Sequence, residues 1–106
     1  MHAKNYKLIF DDVILRQLKK AGKNYQVKLI LTKILDKIEE FGPGAGRNLL
    51  DSRLSLFEVK VMHPPIRLYY KHNKKTNEIY VFEYEMKTSK DKQQGTINKI
   101  KKKLEI

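Results

Sequence analysis

The chain contains no cysteine, so neither disulfide bonds nor thiolate zinc sites are available to it. Long apolar runs are also missing: none exceeds five residues, whereas a transmembrane helix needs roughly 20. The first 12 residues hold no apolar segment followed by a small-residue cleavage site, which argues against a signal peptide. We therefore expect a cytoplasmic protein without a membrane partner.

The signatures of several common enzyme classes are missing as well. No histidines and carboxylates have metal-ligand spacing, and no serine or threonine lies in a nucleophile elbow. The glycine-rich run Gly42–Gly46 follows a predicted helix and lacks the Lys-Ser/Thr ending of a phosphate-binding loop, so we interpret it as a hinge. We expect neither a metal nor a small-molecule cofactor.

Acidic residues are scarce relative to basic ones. The chain of 106 residues has 12 acidic and 23 basic side chains, which gives a net charge of +11. A small basic domain typically meets a polyanion: nucleic acid, a ribosome, an anionic membrane or an acidic protein. The alternative is a lysine-rich surface that only interacts with solvent.

A length of 106 residues suits a single domain, residues 1–106, and hydrophobic spacing predicts that it is of the α+β class. Asn5–Phe10 has the pattern of a strand, and the aspartates that follow it can begin a helix that ends near Gly22. Asn24 caps a second, longer helix, in which apolar residues recur every three or four positions up to Phe41. The two helices are expected to form a hairpin over one face of a sheet.

Three further strands follow in sequence, rich in β-branched and aromatic residues: Phe57–Met62, Ile66–Lys71 and Ile79–Met86. The turns between them have hairpin length, which predicts an antiparallel central sheet. Arg47–Ser55 is interpreted as a connector whose leucines pack against the core. A C-terminal helix is predicted from a weak apolar seam at Ile97, Ile100 and Leu104.

Alternation with a period of two assigns the strand side chains to two faces. The predicted core face carries Phe57, Val59, Val61, Ile66, Leu68, Tyr70, Tyr80, Phe82, Tyr84 and Met86. The opposite face is expected to be open and to carry Lys60, Arg67, Tyr69, Lys71, Glu85 and, beyond the last strand, Lys87. Arg53 could lean toward it. This would be a cationic surface with one aromatic and one or two carboxylates, although alternating charges also fit a solvated face with cross-strand pairs.

Three segments carry a resemblance to a known family. Leu54–Lys60 resembles a strand that begins with leucine, an aromatic residue, Glu, an aliphatic residue and a basic residue. Ile66–Tyr70 resembles an Arg-x-Leu-Tyr-Tyr strand, and Lys87–Lys90 resembles a Lys-Lys-Thr-x-Lys segment, with Met86 replacing the first lysine. Together with the order of the elements, these segments resemble the RelE/ParE toxin superfamily, and more closely its HigB-like, phage-derived branch.

What the resemblance implies is a RelE-like β-α-α-β-β-β-(α) fold and the toxin of a type II toxin–antitoxin system. Such a toxin is an mRNA interferase, a metal-independent endoribonuclease that enters the ribosomal 30S A site. The 2′-hydroxyl of the mRNA attacks the adjacent phosphate, and the products carry a 2′,3′-cyclic phosphate and a 5′-hydroxyl. A cognate antitoxin protein would hold the toxin silent.

The same resemblance implies roles for individual residues. Lys60 aligns with a lysine that acts as the general base in some members, and Arg67 aligns with the arginine that grips the phosphate. Lys87 and Lys90 fall in the basic segment that supplies the acid or further phosphate contacts. Lys92 stands where the family has a more aromatic or histidine-bearing tail. Arg53, Tyr69 and Lys71 are further candidates for RNA binding.

The chemistry leaves the general base open. Lysine is a poor base at its ordinary pKa of roughly 10.4, but neighbouring cations favour its neutral form. Lys60 is preferred on that ground, Glu85 is the alternative, and a role for His63 or His72 stays open because histidine titrates near neutrality. Arginine suits two-pronged phosphate binding, which fits Arg67, and Tyr69 is expected to stack on a base.

Two other functions compete with the nuclease. The first is a ParE-like poison of DNA gyrase without nuclease activity, and the second is a non-catalytic basic RNA-binding domain. A gyrase poison has no need of a strand face that binds phosphate, so the basic set on the predicted open face favours the nuclease. Of the three functions, only the nuclease requires that these basic side chains share one face of the sheet.

Overall fold

The computed structural model describes residues 5–49, 54–62 and 65–86, together with Asn98 and Lys102. Within this part of the chain lie five strands and two helices: β1 (Lys7–Phe10), α1 (Asp12–Ala21), α2 (Tyr25–Phe41), β2 (Arg47–Asn48), β3 (Leu56–Met62), β4 (Pro65–Asn73) and β5 (Glu78–Met86). The predicted α+β class is confirmed. Of the predicted C-terminal helix, Asn98 and Lys102 have helical backbone and the rest lies outside the described residues.

Both helices begin where the sequence predicts. The Asp11 side chain accepts a hydrogen bond from the backbone N–H of Ile14 at 2.8 Å, and the Asn24 side chain accepts one from Val27 at 3.3 Å. These caps satisfy backbone donors that have no partner within the helix. No helix in the described ranges is both long and apolar enough to cross a membrane.

The strand order in the sheet is β1-β5-β4-β3-β2. β3, β4 and β5 are consecutive and antiparallel, as the hairpin-length turns predict. β1 instead pairs parallel with β5, so the sheet is mixed rather than wholly antiparallel. The other edge is formed by β2, which lies within the segment that we interpreted as a connector.

The main core lies between the helices and one face of the sheet. α1 contributes Ile14, and α2 contributes an apolar stripe of Val27, Leu31, Ile34 and Ile38. The sheet contributes Phe57, Val59, Ile66, Leu68, Tyr70, Ile79 and Val81. The predicted core face of β3 and β4 is therefore confirmed.

The glycine-rich run forms a short 3-10 turn, Gly42–Ala45, and leads into β2. Gly42 has a φ of 55°, and a Cβ there would meet the Tyr6 ring. The Gly42 carbonyl accepts a hydrogen bond from the Tyr70 hydroxyl at 2.8 Å. A Cβ at Gly46 would collide with the Glu58 carbonyl oxygen, so glycine lets β2 approach β3 closely.

The prediction of which β5 side chains face the core is partly wrong. The register with β4 shifts between Tyr69, which pairs with Glu83, and Tyr70, which pairs with Val81. Phe82 is the extra residue of this β-bulge, and a one-residue shift moves side chains to the other face. Ile79 and Val81 consequently lie in the core, whereas Tyr80 and Phe82 lie on the helix-free face.

Candidate functional site

A row of three charged residues crosses the helix-free face of the sheet. Lys60 on β3 lies opposite Arg67 on β4, and Arg67 lies opposite Glu85 on β5. Directly opposed residues point to the same face, with Cβ atoms about 5 Å apart. We call Lys60, Arg67 and Glu85 the catalytic row, after the catalytic roles that the sequence predicts for them. The sequence predicts that these three residues share a face, and the register brings them together.

A second row lies beside it along the strands. Glu58 is opposed by Arg47 on β2 and by Tyr69 on β4, and Tyr69 is opposed by Glu83 on β5. The two rows are joined diagonally, because the Tyr69 hydroxyl donates a hydrogen bond to Oε1 of Glu85 at 2.6 Å. A short bond from a buried hydroxyl to a carboxylate fixes the position of both side chains.

The expectation that this face is open is wrong for most of its length. Leu49, Leu54 and Leu56 pack over Tyr69 in a second, smaller apolar cluster. Tyr69 is 0% exposed, Arg67 8% and Glu85 7%. Leu49 and Leu54 of the predicted connector do pack, as expected, but against the face that we predicted to be open. Leu50 lies outside the described residues.

Burial changes the expected role of Tyr69. A ring without exposed surface offers no face on which a base could stack, so the stacking role predicted for Tyr69 does not fit this structure. Burial raises the pKa of the Tyr69 hydroxyl far above its ordinary value, and the hydrogen bond to Glu85 raises it further. Tyr69 therefore stays protonated and remains a hydrogen-bond donor to Glu85.

The face is also more acidic than predicted. Three glutamates, Glu58, Glu83 and Glu85, lie nearly buried on it, where one or two were expected. Glu58 is held between two arginines: Arg47 Nη2 lies 3.2 Å from its Oε1, and Arg67 Nη1 lies 3.9 Å from its Oε2. Buried carboxylates are tolerated where cations compensate them.

Arg67 keeps unused hydrogen-bonding capacity despite its burial. Its Nε and Nη1 atoms have no hydrogen-bond acceptor among the described residues. A guanidinium presents five N–H donors in a planar fork that matches a phosphate. Buried donors without acceptors are uncommon in native proteins, and a ligand that accepts from them would remove the penalty.

The remaining predicted residues differ in accessibility. Lys60 is exposed and Lys71 is half-buried. Arg53, Lys87, Lys90, Lys92 and His63 lie outside the described residues. Whether Lys87 joins the catalytic row is therefore still a prediction.

His72 does not belong to the catalytic row. It lies within β4 rather than in the following turn, and it pairs with the buried Ile79. Its side chain therefore points to the face of the sheet opposite to that of Arg67, Tyr69 and Lys71. Its Nε2 lies 3.1 Å from Oδ1 of Asn77, and its ring packs edge-on against Tyr6 at 5.6 Å. Within the described ranges, no group of three or more His, Asp or Glu side chains could hold a metal ion.

Sequence reasoning missed one feature of this face. Tyr80 and Phe82 were assigned to the core, but they line a groove on the helix-free side with Lys71. The signal is weak, because β5 is apolar at odd and even positions alike from Ile79 to Phe82 and alternates only afterwards, so its pattern alone does not decide which residues face the core. The bulge at Phe82 decides it, because it shifts the register by one residue.

Comparisons with known proteins place the fold. No family model matches the chain, and no curated protein matches its sequence. Solved structures of E. coli RelE do match: a RelE toxin mutant in the free state has 21% identity and a TM-score of 0.67 over 91% of this chain and 98% of that one. The isolated E. coli RelE toxin has 17% identity and a TM-score of 0.63 over 90% and 98%.

A third similar structure is the intact E. coli RelBE toxin–antitoxin complex, with 19% identity and a TM-score of 0.60 over 79% of this chain and 99% of that chain. At these identities the likeness concerns the fold. The predicted RelE-like architecture is thus confirmed.

Proposed function

We propose that this protein is the toxin of a type II toxin–antitoxin system and a ribosome-dependent mRNA endoribonuclease. The observation that carries the proposal is the catalytic row, in which Lys60, Arg67 and Glu85 are direct neighbours on three adjacent strands. Its position on the helix-free face of a RelE-like fold supports the same function. The net charge of +11 suits an RNA partner.

Arg67 is the phosphate-binding residue in this proposal. Its Nε and Nη1 donors lack acceptors among the described residues, and its backbone is held rigidly in mid-strand. Because these donor atoms are buried, binding of the scissile phosphate requires the Arg67 side chain to turn outward. Two donors on one edge of its guanidinium can then bind two phosphate oxygens and stabilise the charge that develops on the phosphorane. No metal is required for this stabilisation.

Lys60 is the proposed general base for the 2′-hydroxyl. It is exposed at the end of the row, where an RNA backbone can reach it. Glu85 is the second candidate, although its carboxylate is nearly buried and already accepts the Tyr69 hydrogen bond. Lys87 and Lys90 remain the proposed sources of the acid or of further phosphate contacts.

The proposed partners are mRNA in the 30S A site and a cognate antitoxin. One similar solved structure is of E. coli RelE with the antitoxin RelB, which supports an antitoxin for this chain. The HigB-like assignment within the superfamily rests on the sequence segments Leu54–Lys60, Ile66–Tyr70 and Lys87–Lys90. Action in the cytoplasm is part of the proposal, because the proposed RNA partner is on the ribosome.

Cleavage of message on translating ribosomes tests the proposal. Lys60→Ala should lower the cleavage rate about 10²–10⁴-fold, the usual contribution of a general base. Arg67→Lys keeps a cation beside Glu58 but removes the planar fork, and should lower the rate at least about 10²-fold. Lys33→Ala, on the exposed side of α2, is the matched control and should cleave like the wild type.

The products and the growth phenotype separate the alternatives. The proposal requires fragments with a 2′,3′-cyclic phosphate and a 5′-hydroxyl. Blocked replication and DNA damage with intact messages would instead indicate a gyrase poison. Unchanged growth after induction, with RNA binding but no cleavage, would indicate a non-catalytic basic domain.

A further inference from the structure

A groove that the catalytic row does not use lies farther along the same face of the sheet. Its volume is about 590 Å³, within the range of about 300–1,000 Å³ that is typical of ligand sites. Tyr80 and Phe82 line it together with Lys71, Lys74 and Lys75. Among the described residues that line this groove there is no Asp or Glu.

The groove contains an aromatic pair, Tyr80 and Phe82, and both side chains are half-buried. The rings of Tyr80 and Phe82 are nearly parallel, at 15°, and their centroids are 6.2 Å apart. The bulge at Phe82 is what brings both rings to the helix-free side, because regular pairing would leave them on the core face. Nucleobases stack on such aromatic surfaces whatever their identity.

The three lysines surround this surface from a fixed framework. Lys71 is the direct cross-strand neighbour of Tyr80. Lys74 and Lys75 lie in the turn that joins β4 to β5, and Oδ1 of Asn73 accepts the backbone N–H of Lys75 at 3.0 Å. Because the turn is fixed by this side chain, the lysine stems start from defined positions.

We propose that this groove binds a single-stranded RNA segment, with a base stacked on Tyr80 and Phe82 and the flanking phosphates held by Lys71, Lys74 and Lys75. The inference rests on the proposed function, since it extends the RNA path from the catalytic row to the β4–β5 turn.

The groove lies beyond the reach of the reacting atoms. Arg67 and Lys71 are four residues apart on one strand, or about 13 Å. A contact at that distance from the scissile phosphate strengthens the binding of RNA and leaves the chemical step unchanged. Glu58 and Glu83 lie between the two sites, but they are nearly buried and present little negative surface to a polyanion.

Binding of an uncleavable RNA tests the groove independently of catalysis. A fluorescein-labelled, fully 2′-O-methylated octanucleotide has no nucleophilic 2′-hydroxyl, and its Kd for the full chain can be measured by fluorescence anisotropy. Tyr80→Ala and Phe82→Ala should each raise the Kd about 10-fold, the effect expected for one lost base stack. Phe82→Tyr should bind like the wild type, because the aromatic face is kept.

Tyr25→Ala is the matched control, since Tyr25 is an exposed tyrosine on α2, whose apolar stripe packs on the opposite side of the sheet. Its Kd should equal that of the wild type, and circular dichroism melts should establish that all variants are folded. In the cleavage assay the Tyr80 and Phe82 variants should raise KM and leave kcat unchanged.

The outcomes distinguish this inference from the nuclease proposal. RNA binding that weakens only in the Tyr80 and Phe82 variants supports the groove even if wild-type protein cleaves nothing. Equal Kd values for all variants, or an equal loss in Tyr25→Ala, would overturn it. Binding of a polyglutamate peptide at this groove without binding of RNA would also overturn it, and would identify an acidic polypeptide as the ligand.

Discussion

The hydrogen bond from Tyr69 to Glu85 joins the second row to the catalytic row, and Tyr69→Phe removes it while the ring keeps its packing against Leu49 and Leu56. The donor lost is a buried hydroxyl on a carboxylate. A hydrogen bond to a charged group contributes about 1.5–3 kcal/mol, and the carboxylate that loses it stays nearly buried. We expect the free energy of unfolding to fall by about 2 kcal/mol.

Urea unfolding followed by circular dichroism measures this loss, which should appear as a lower midpoint at unchanged slope. For a domain of this size the same loss lowers Tm by roughly 10 °C. Tyr25→Phe is the matched control, because its exposed hydroxyl has no comparable role, and it should change stability by less than about 0.5 kcal/mol.

A double-mutant cycle with Glu85→Gln locates the effect. If Tyr69 acts through Glu85, the stability losses of the two single variants should add up to at least about 1 kcal/mol more than the loss in the double variant. Strictly additive losses, or a Tyr69→Phe variant as stable as Tyr25→Phe, would refute the argument that this bond orders the face.

Two further predictions concern the same framework. Gly46→Ala should destabilise the protein by about 1–3 kcal/mol, because the new Cβ would lie 2.9 Å from the carbonyl carbon of Glu58 and push β2 away from β3. Gly44→Ala is the control: its Cβ would be 3.8 Å from its nearest neighbour, so stability in the same urea titration should not change. Equal effects at the two glycines would contradict this account. Burial raises the pKa of both Tyr69 and Tyr70 in the folded protein, so stability from these groups is complete below the unfolded pKa of about 10 and falls above it. Between pH 9 and 11 the free energy of unfolding should therefore fall by up to about 1.4 kcal/mol per pH unit for each tyrosine. Tyr70→Phe should make this fall with pH less steep than in the wild type. An unchanged slope would show that the Tyr70 proton is not linked to folding.

Elements that depend on local patterns could be predicted from the sequence. The stripe from Val27 to Ile38 and the caps at Asp11 and Asn24 define the helices. Regular alternation in β3 and β4 defines which of their side chains enter the core, and hence that Lys60 and Arg67 share the other face. These features depend on residues within a few positions of each other.

Features that depend on distant pairing could not be predicted in the same way. Parallel pairing of Lys7–Phe10 with β5 leaves no local signal, so the sheet was expected to be antiparallel. Leu49 and Leu54 indicate burial, but not which side of the sheet they cover. That choice buries Tyr69, whereas the bulge at Phe82 brings the rings of Tyr80 and Phe82 to the helix-free face.

The pairing of β1 with β5 also has a consequence for synthesis. Lys7 meets Glu78, so one edge of the sheet cannot form until nearly the whole described chain has left the ribosome. Contacts between such distant segments slow folding, because the loop between them must close first. A newly made chain therefore emerges from the ribosome without the completed sheet, and the edge of β5 that β1 covers stays unpaired for that interval.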